Sequence, residues 1–229
     1  MMNISNSLWG RFILVVLFVA GMAACKSTEN TKTASSTPEK DSLEELYWAR
    51  KDSAKMSFTQ ADVKFMTGMI AHHAQALVMS RLAPKNGASQ QVQTLAARII
   101  NAQKDEIQSM QKWLRTREQP VPQIEINGLI LSITLDGKPY TSYRKMRGVL
   151  AQEKLEELAA ARNKEFDKLF LKYMIQHHAG AVYMVENLFD TDGAAQDNRA
   201  FRLASDIQVD QRTEIERMRL MLDKLQKSS

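Results

Sequence analysis

The placement of the histidines constrains this chain more than any other feature. Phe65 to Met79 reads FMTGMIAHHAQALVM and Phe170 to Met184 reads FLKYMIQHHAGAVYM, with eight of fifteen positions identical. All four histidines of the chain lie in these two stretches. A second match follows each one. Ala96, Ile99, Gln103, Glu106, Ile107 and Met110 recur at the same internal spacing as Ala204, Ile207, Gln211, Glu214, Ile215 and Met218. Each half therefore reads as a histidine helix followed by an A-x2-I-x3-Q-x2-E-I-x2-M helix. A lone helical hairpin cannot bury its apolar face, so the halves, about 59–118 and 163–226, are expected to pack as one all-α four-helix bundle with approximate twofold symmetry.

Punctuation in the sequence sets the expected element boundaries. Thr59-Gln-Ala-Asp62 resembles a capping box, and Pro84 and Gly87 close the helix it opens. A second helix is expected from Ser89 to the Pro120 region, a third over 164–189 and a fourth over 197–226. Between the halves, QIEINGLILSITLDGKPY alternates in hydrophobicity around Asn127-Gly128 and Asp136-Gly137, which predicts a small β-hairpin. SLEELYWARK, with Ser42 as its cap, and AQEKLEELAAA predict two short extra helices.

The amino terminus carries an address. Phe12 to Ala24 is a run of apolar and small residues preceded by Arg11, too short to span a bilayer and suited to the h-region of a secretory signal, residues 1–24. Cys25, the only cysteine, follows Met22-Ala23-Ala24, where a bacterial lipobox places its acylated cysteine. Ordinary signal cleavage or a short anchor is the alternative. The polar tract to Ser42 is expected to be a flexible tether, with residues 43–229 as the folded domain. The protein is thus expected in the bacterial cell envelope, facing periplasm or exterior and held to the membrane by lipid on Cys25. A single cysteine excludes an intramolecular disulfide and a thiolate metal cluster. The net charge of +5 is dispersed among acidic residues, which gives nucleic-acid binding no support.

Helical geometry sorts the motif residues. At about 100° per residue, Asp62, Met69 and Ala76 share the centre of one stripe, with His73 and Met66 on one flank and His72 and Met79 on the other. The second copy repeats this with Asp167, Met174 and Ala181 in the centre and His177 with Met184 on a flank, but Leu171 beside His178 replaces the methionine. Adjacent histidines diverge too far to chelate one ion. They fit two sites, or one ligand and one supporting group. Gln103 and Gln211 sit within apolar stripes and Glu106 and Glu214 near the edge, where an imidazole is an obvious partner for them. A methionine on an apolar face is ordinarily core filler and a buried histidine ordinarily just hydrogen-bonded. The doubling favours metal binding instead.

Ferritin-type dinuclear centres use Glu-x-x-His, whereas this chain has Met69-x-x-His72 and Met174-x-x-His177. Thioether in place of carboxylate suits Cu(I), with imidazole able to accept Cu(II) as well, so copper ranks above iron and zinc. The MIxHHxxAxxM motif, the Q-x2-E-I-x2-M helix and the lead-in MRGVL before EFDKLFLKYMIQHHAGA resemble the DUF 305 family of secreted, ferritin-like four-helix proteins, some of them associated with copper. The resemblance runs over about 59–222. It implies binding roles for Met69, His72, His73, Met79, Met174, His177, His178 and Met184, while Met146-Arg147-Gly148-Val149 departs from the family's usual MPGM. Met66 joins the ligand candidates. Asp62, Gln103, Glu106, Met110, Asp167, Gln211, Glu214 and Met218 are supporting or alternative ligands. Three functions fit: copper sequestration or transfer with a copper donor or acceptor protein, a ferritin-like redox enzyme using Asp62, Glu106, Asp167 and Glu214, or a structural adaptor lipoprotein. No nucleophile motif or nucleotide fingerprint is present, so no catalytic residue is assigned.

Overall fold

The structure, a computed structural model, describes residues 38–227. Cys25, the signal-type segment and most of the polar tract lie outside the described residues. The chain is mostly helical with one small sheet. Helix α1 (Pro38–Met56) begins before the expected Ser42 cap. Proline is tolerated there because the first turn has no acceptor for the missing N–H. Leu43, Leu46, Tyr47 and Trp48 of this helix are exposed.

Four long helices follow: α2 (Gln60–Ser80), α3 (Gln90–Arg115), α5 (Asn163–Phe189) and α6 (Asn198–Lys227). Thr59 caps α2 in a full capping box with Asp62, and Ser89 caps α3. The connection between halves is larger than one hairpin. β1 (Gln123–Asn127) pairs antiparallel with β2 (Ile130–Leu135), which pairs with β3 (Lys138–Pro139). Asp136 (φ 50°) and Gly137 (φ 71°) both take the left-handed conformation that a two-residue hairpin turn demands. A 3₁₀ turn (Ser142–Lys145) and α4 (Gln152–Ala160) lead into α5.

Helix α2 packs along α3 and α5 along α6, the two pairs meeting through α2 against α5 and, more sparsely, α3 against α6. The sheet covers the remaining face of α2, where Leu131, Ile133 and Tyr143 meet Ala71, Ala74 and Val78. Every residue of α2 from Phe65 to Ser80 is therefore buried. Two apolar clusters fill the interior, each fed by all four helices. One holds Met79, Ile99, Phe166, Phe170, Met174 and Met218. The other holds Phe65, Met66, Met69, Met110, Trp113 and Ile207. Helix α2 runs from the second cluster to the first and α5 in the opposite sense, so the histidines of both lie between the clusters.

Buried acids pin the ends. Asp62 accepts from the Ala195 N–H at 2.7 Å and Asp167 from the Ser89 N–H at 3.1 Å, so the start of each histidine helix holds the loop of the opposite half. Asp197 accepts from Trp113 Nε1 at 2.9 Å, from Arg117, and from the Ala200 N–H at 2.8 Å. Although burial opposes ionisation of Asp197, Trp113, the Ala200 amide and Arg117 hold its carboxyl below the usual range.

Candidate metal centre

The two HH pairs form one buried layer. All four imidazoles are 0% exposed. The rings of His72 and His177, one from each half, face each other with centroids 3.9 Å apart. The neighbouring rings lie further off, His72 to His73 at 6.5 Å and His177 to His178 at 6.2 Å. Divergence of adjacent residues thus separates a central pair from two lateral histidines. His73 Nε2 lies 2.8 Å from Glu106 Oε2, although the angle is not that of a hydrogen bond. His178 Nε2 donates to Glu214 Oε2 at 2.7 Å.

The hydrogen bonds decide which ring nitrogens are free. His72 Nε2 donates to the Arg147 carbonyl at 3.2 Å. Burial, reinforced by repulsion from His73, pushes the His72 pKa down to about 3. A neutral ring donating from Nε2 carries its lone pair on Nδ1, and that atom has no partner. Burial first, and the neighbouring His72 second, also hold His177 well below the ordinary value; neither of its nitrogens has a hydrogen-bond partner. His73 Nδ1 and His178 Nδ1 are likewise unpartnered. Each buried polar atom left unpaired costs about 1–3 kcal/mol, so several in one buried layer call for a partner such as a bound ion. A histidine held on one nitrogen by a carboxylate while the other is free is the arrangement metal proteins use to orient a ligand.

A soft cation fits this donor set. His72 and His177 present neutral imidazole lone pairs, and Met69 and Met174 stand one turn before them on the same helix faces. Met69 and Met174 are fully buried, as are Met66, Met79, Met110 and Met218, which belong to the two clusters above and below the layer. Met184 sits apart, beside Met146 over Gly68. Asp62 and Asp167 serve the loops at the ends and stand away from the histidine layer. Gln103 and Gln211 do not bond the imidazoles as expected: both Gln103 side-chain atoms and Gln211 Oε1 are unpartnered, because Glu106 and Glu214 occupy the lateral rings. Among the described residues no three His, Cys, Asp or Glu side chains are gathered as a metal-holding group.

Residues outside the expected set complete the layer. Gly148 (φ 86°) lies against Gly180 of α5, and a Cβ on Gly180 would stand 1.9 Å from the Arg147 carbonyl oxygen. This close approach is what lets that oxygen reach His72. Gln75 holds the same segment from α2, donating to the Leu150 carbonyl at 2.9 Å and accepting from its N–H at 2.7 Å. Comparing the two copies flags both positions, since Gln75 in the first corresponds to Gly180 in the second.

The chain resembles several solved structures. The chain is similar to a DUF305 fragment from Deinococcus radiodurans, with 27% identity and a TM-score of 0.59 over 73% of this chain and 98% of that one. A DUF305 protein from Streptomyces coelicolor, described as secreted, matches in fold at 24% identity and a TM-score of 0.59, covering 72% and 92% of the two chains. CopM, solved in Cu(I)-bound, Cu(II)-bound and silver-bound forms, is 27% identical over 71% of this chain and 96% of its own. The TM-scores of these three are 0.51, 0.54 and 0.52. No curated protein matches. With a family model matching residues 62–222, the chain belongs to the family described as a domain of unknown function, DUF305.

Proposed function

We propose that this protein binds copper, with Cu(I) as the preferred state, in the histidine layer of a four-helix bundle, and that it sequesters or transfers the metal without catalysis. The observation that carries the reading is the set of buried, unpartnered imidazole nitrogens on His72 and His177, held neutral between two methionine-containing clusters. Soft thioether and imidazole donors without thiolate suit Cu(I). CopM, 27% identical, is known in copper- and silver-bound forms, which supports copper as the metal. Bound copper would be held by His72 and His177, with Met69 and Met174 as the nearest thioethers by register. Glu106 and Glu214 would fix the lateral rings of His73 and His178. The signal-type start and Cys25 support reading it as a lipid-anchored protein of the cell envelope, and a copper donor or acceptor protein is the partner this function calls for. Among the described residues no helix is long and apolar enough to cross a membrane.

The test is a Cu(I) competition titration of the full chain against a coloured chelator, beside His72→Ala/His177→Ala shown by circular dichroism to be folded. Tight binding lost in the variant is expected. Equal binding in both would remove the central pair from the site, and no binding in either would return the histidines to a structural role.

A further inference from the structure

The histidine layer is closed on most sides. The two apolar clusters seal it above and below. On the α2–α5 face the Arg147 carbonyl lies on His72 and Gly148 packs on Gly180, and the two larger cavities there, of about 430 and 510 Å³, are lined by residues of the 145–151 segment and by no histidine or histidine-bound carboxylate. The α3–α6 face differs. There a cavity of about 140 Å³ opens between the helices, lined by Gln103, Glu106, Asp210, Gln211 and Glu214, with Arg98 and Arg217 at its margins. Glu106 and Glu214, the two residues in contact with lateral histidines, are 14% and 17% exposed, so they join the buried layer to solvent.

Two independent features make this cavity more than a groove between helices. Gln103 is 1% exposed with both side-chain polar atoms unpartnered, and Gln211 is 1% exposed with its Oε1 unpartnered. Amide groups left unsatisfied in this way are suited to the water that a passing cation carries with it. The local charge is also negative. Asp210, exposed to solvent, stands at the mouth, with Glu106, Glu214 and Asp206 close enough to act on it. Three carboxylates, Glu106, Asp210 and Glu214, line the cavity against two arginines, Arg98 and Arg217, with Asp206 near enough to act on Asp210, and this negative excess favours a cation over an anion.

We infer that the α3–α6 cavity is the cation access route to the buried histidines, with Asp210 as the attracting group at its mouth and the Gln103 and Gln211 amides as way-stations between mouth and layer. The inference rests on the copper-binding reading above. It assigns to Asp210 a role in rate and none as a ligand. Because the same passage serves loading and release, a change at the mouth alters both rates together and the equilibrium affinity much less.

The experiment compares the loading of the full chain, its Asp210→Asn and Asp210→Lys variants, and Glu125→Lys, the same charge reversal on an exposed residue of the sheet. Cu(I) supplied as its acetonitrile complex is mixed with each protein, and uncaptured metal is removed at timed intervals with excess coloured chelator. At low ionic strength Asp210→Lys is expected to load about tenfold more slowly than wild type and Asp210→Asn at an intermediate rate, with Glu125→Lys unchanged. The differences should shrink in high salt, while the titrated affinities stay close. Wild-type rates in Asp210→Lys, or equal slowing in Glu125→Lys, would overturn the route while leaving copper binding intact. A wild-type chain that captures no Cu(I) would overturn the reading beneath it and the route together.

Discussion

Replacing Gly180 by alanine tests whether the 146–150 segment is seated on α5 by the absence of a side chain. In an ordinary helix interior the change would gain up to about 1 kcal/mol, since glycine loses more backbone freedom on folding than alanine. Here the new Cβ would lie 1.9 Å from the Arg147 oxygen, 2.6 Å from its carbonyl carbon and 2.9 Å from the Gly148 Cα. Ordinary contact begins near 3.4 Å, so the segment must retreat by 3.4 − 1.9 = 1.5 Å. Backbone cannot yield as a side-chain tip can. Overpacking of this kind costs about 1–3 kcal/mol, and losing the Arg147 bond to His72 adds about 1 kcal/mol. The net expectation is a loss of about 1–3 kcal/mol, read as a lower urea midpoint with unchanged slope. Gly68→Ala is the matched control. Its Cβ would meet the flexible methyl tips of Met146 at 2.9 Å and Met184 at 3.4 Å, so it should fall within about 0.5 kcal/mol of wild type or above it. A Gly180→Ala protein as stable as the Gly68→Ala one would refute the seating argument.

Acid should destabilise the metal-free fold through the central pair. The folded pKa of His72 is about 3 against 6.5 unfolded, so above pH 6.5 both states are neutral and the stability is complete. Below it the unfolded chain takes the proton first, and His72 alone removes about 1.4 kcal/mol per pH unit, with His177 acting in the same direction; chemical denaturation at pH 7 and pH 5 measures this, and His72→Gln should flatten the dependence. Gln75→Leu strips the Leu150 N–H and carbonyl of their partners, with an expected loss of about 1–3 kcal/mol in the same urea assay. Arg117→Met leaves Asp197 buried without its cation and should cost about 3 kcal/mol by thermal and urea unfolding; an effect under 0.5 kcal/mol would show that Trp113 and the α6 amides suffice.

The long helices were legible in the sequence because their signals are local. The Thr59–Asp62 box, the helix start near Ser89 and the 3.6-residue stripes each act within a turn or two, and all appear where expected. The doubled HH motif named the histidines, and the 100° step between neighbours already required that they diverge. It could not reveal that His72 would meet His177 while His73 and His178 turned to Glu106 and Glu214, because that pairing depends on how the two halves cross. Asp62 and Asp167, read as supporting or alternative ligands, are a second such case. A carboxylate on a histidine helix looks like a ligand until the opposite loop is seen bonded to it.

The sequence by itself determined the element types, the repeat and the soft character of the donors, since these follow from residue chemistry and short-range periodicity. Tertiary structure alone decided which imidazole nitrogens stay free, which face is sealed and which is open. Those outcomes turn on a carbonyl from residue 147 reaching residue 72 past a glycine at 180, three positions that no local pattern relates.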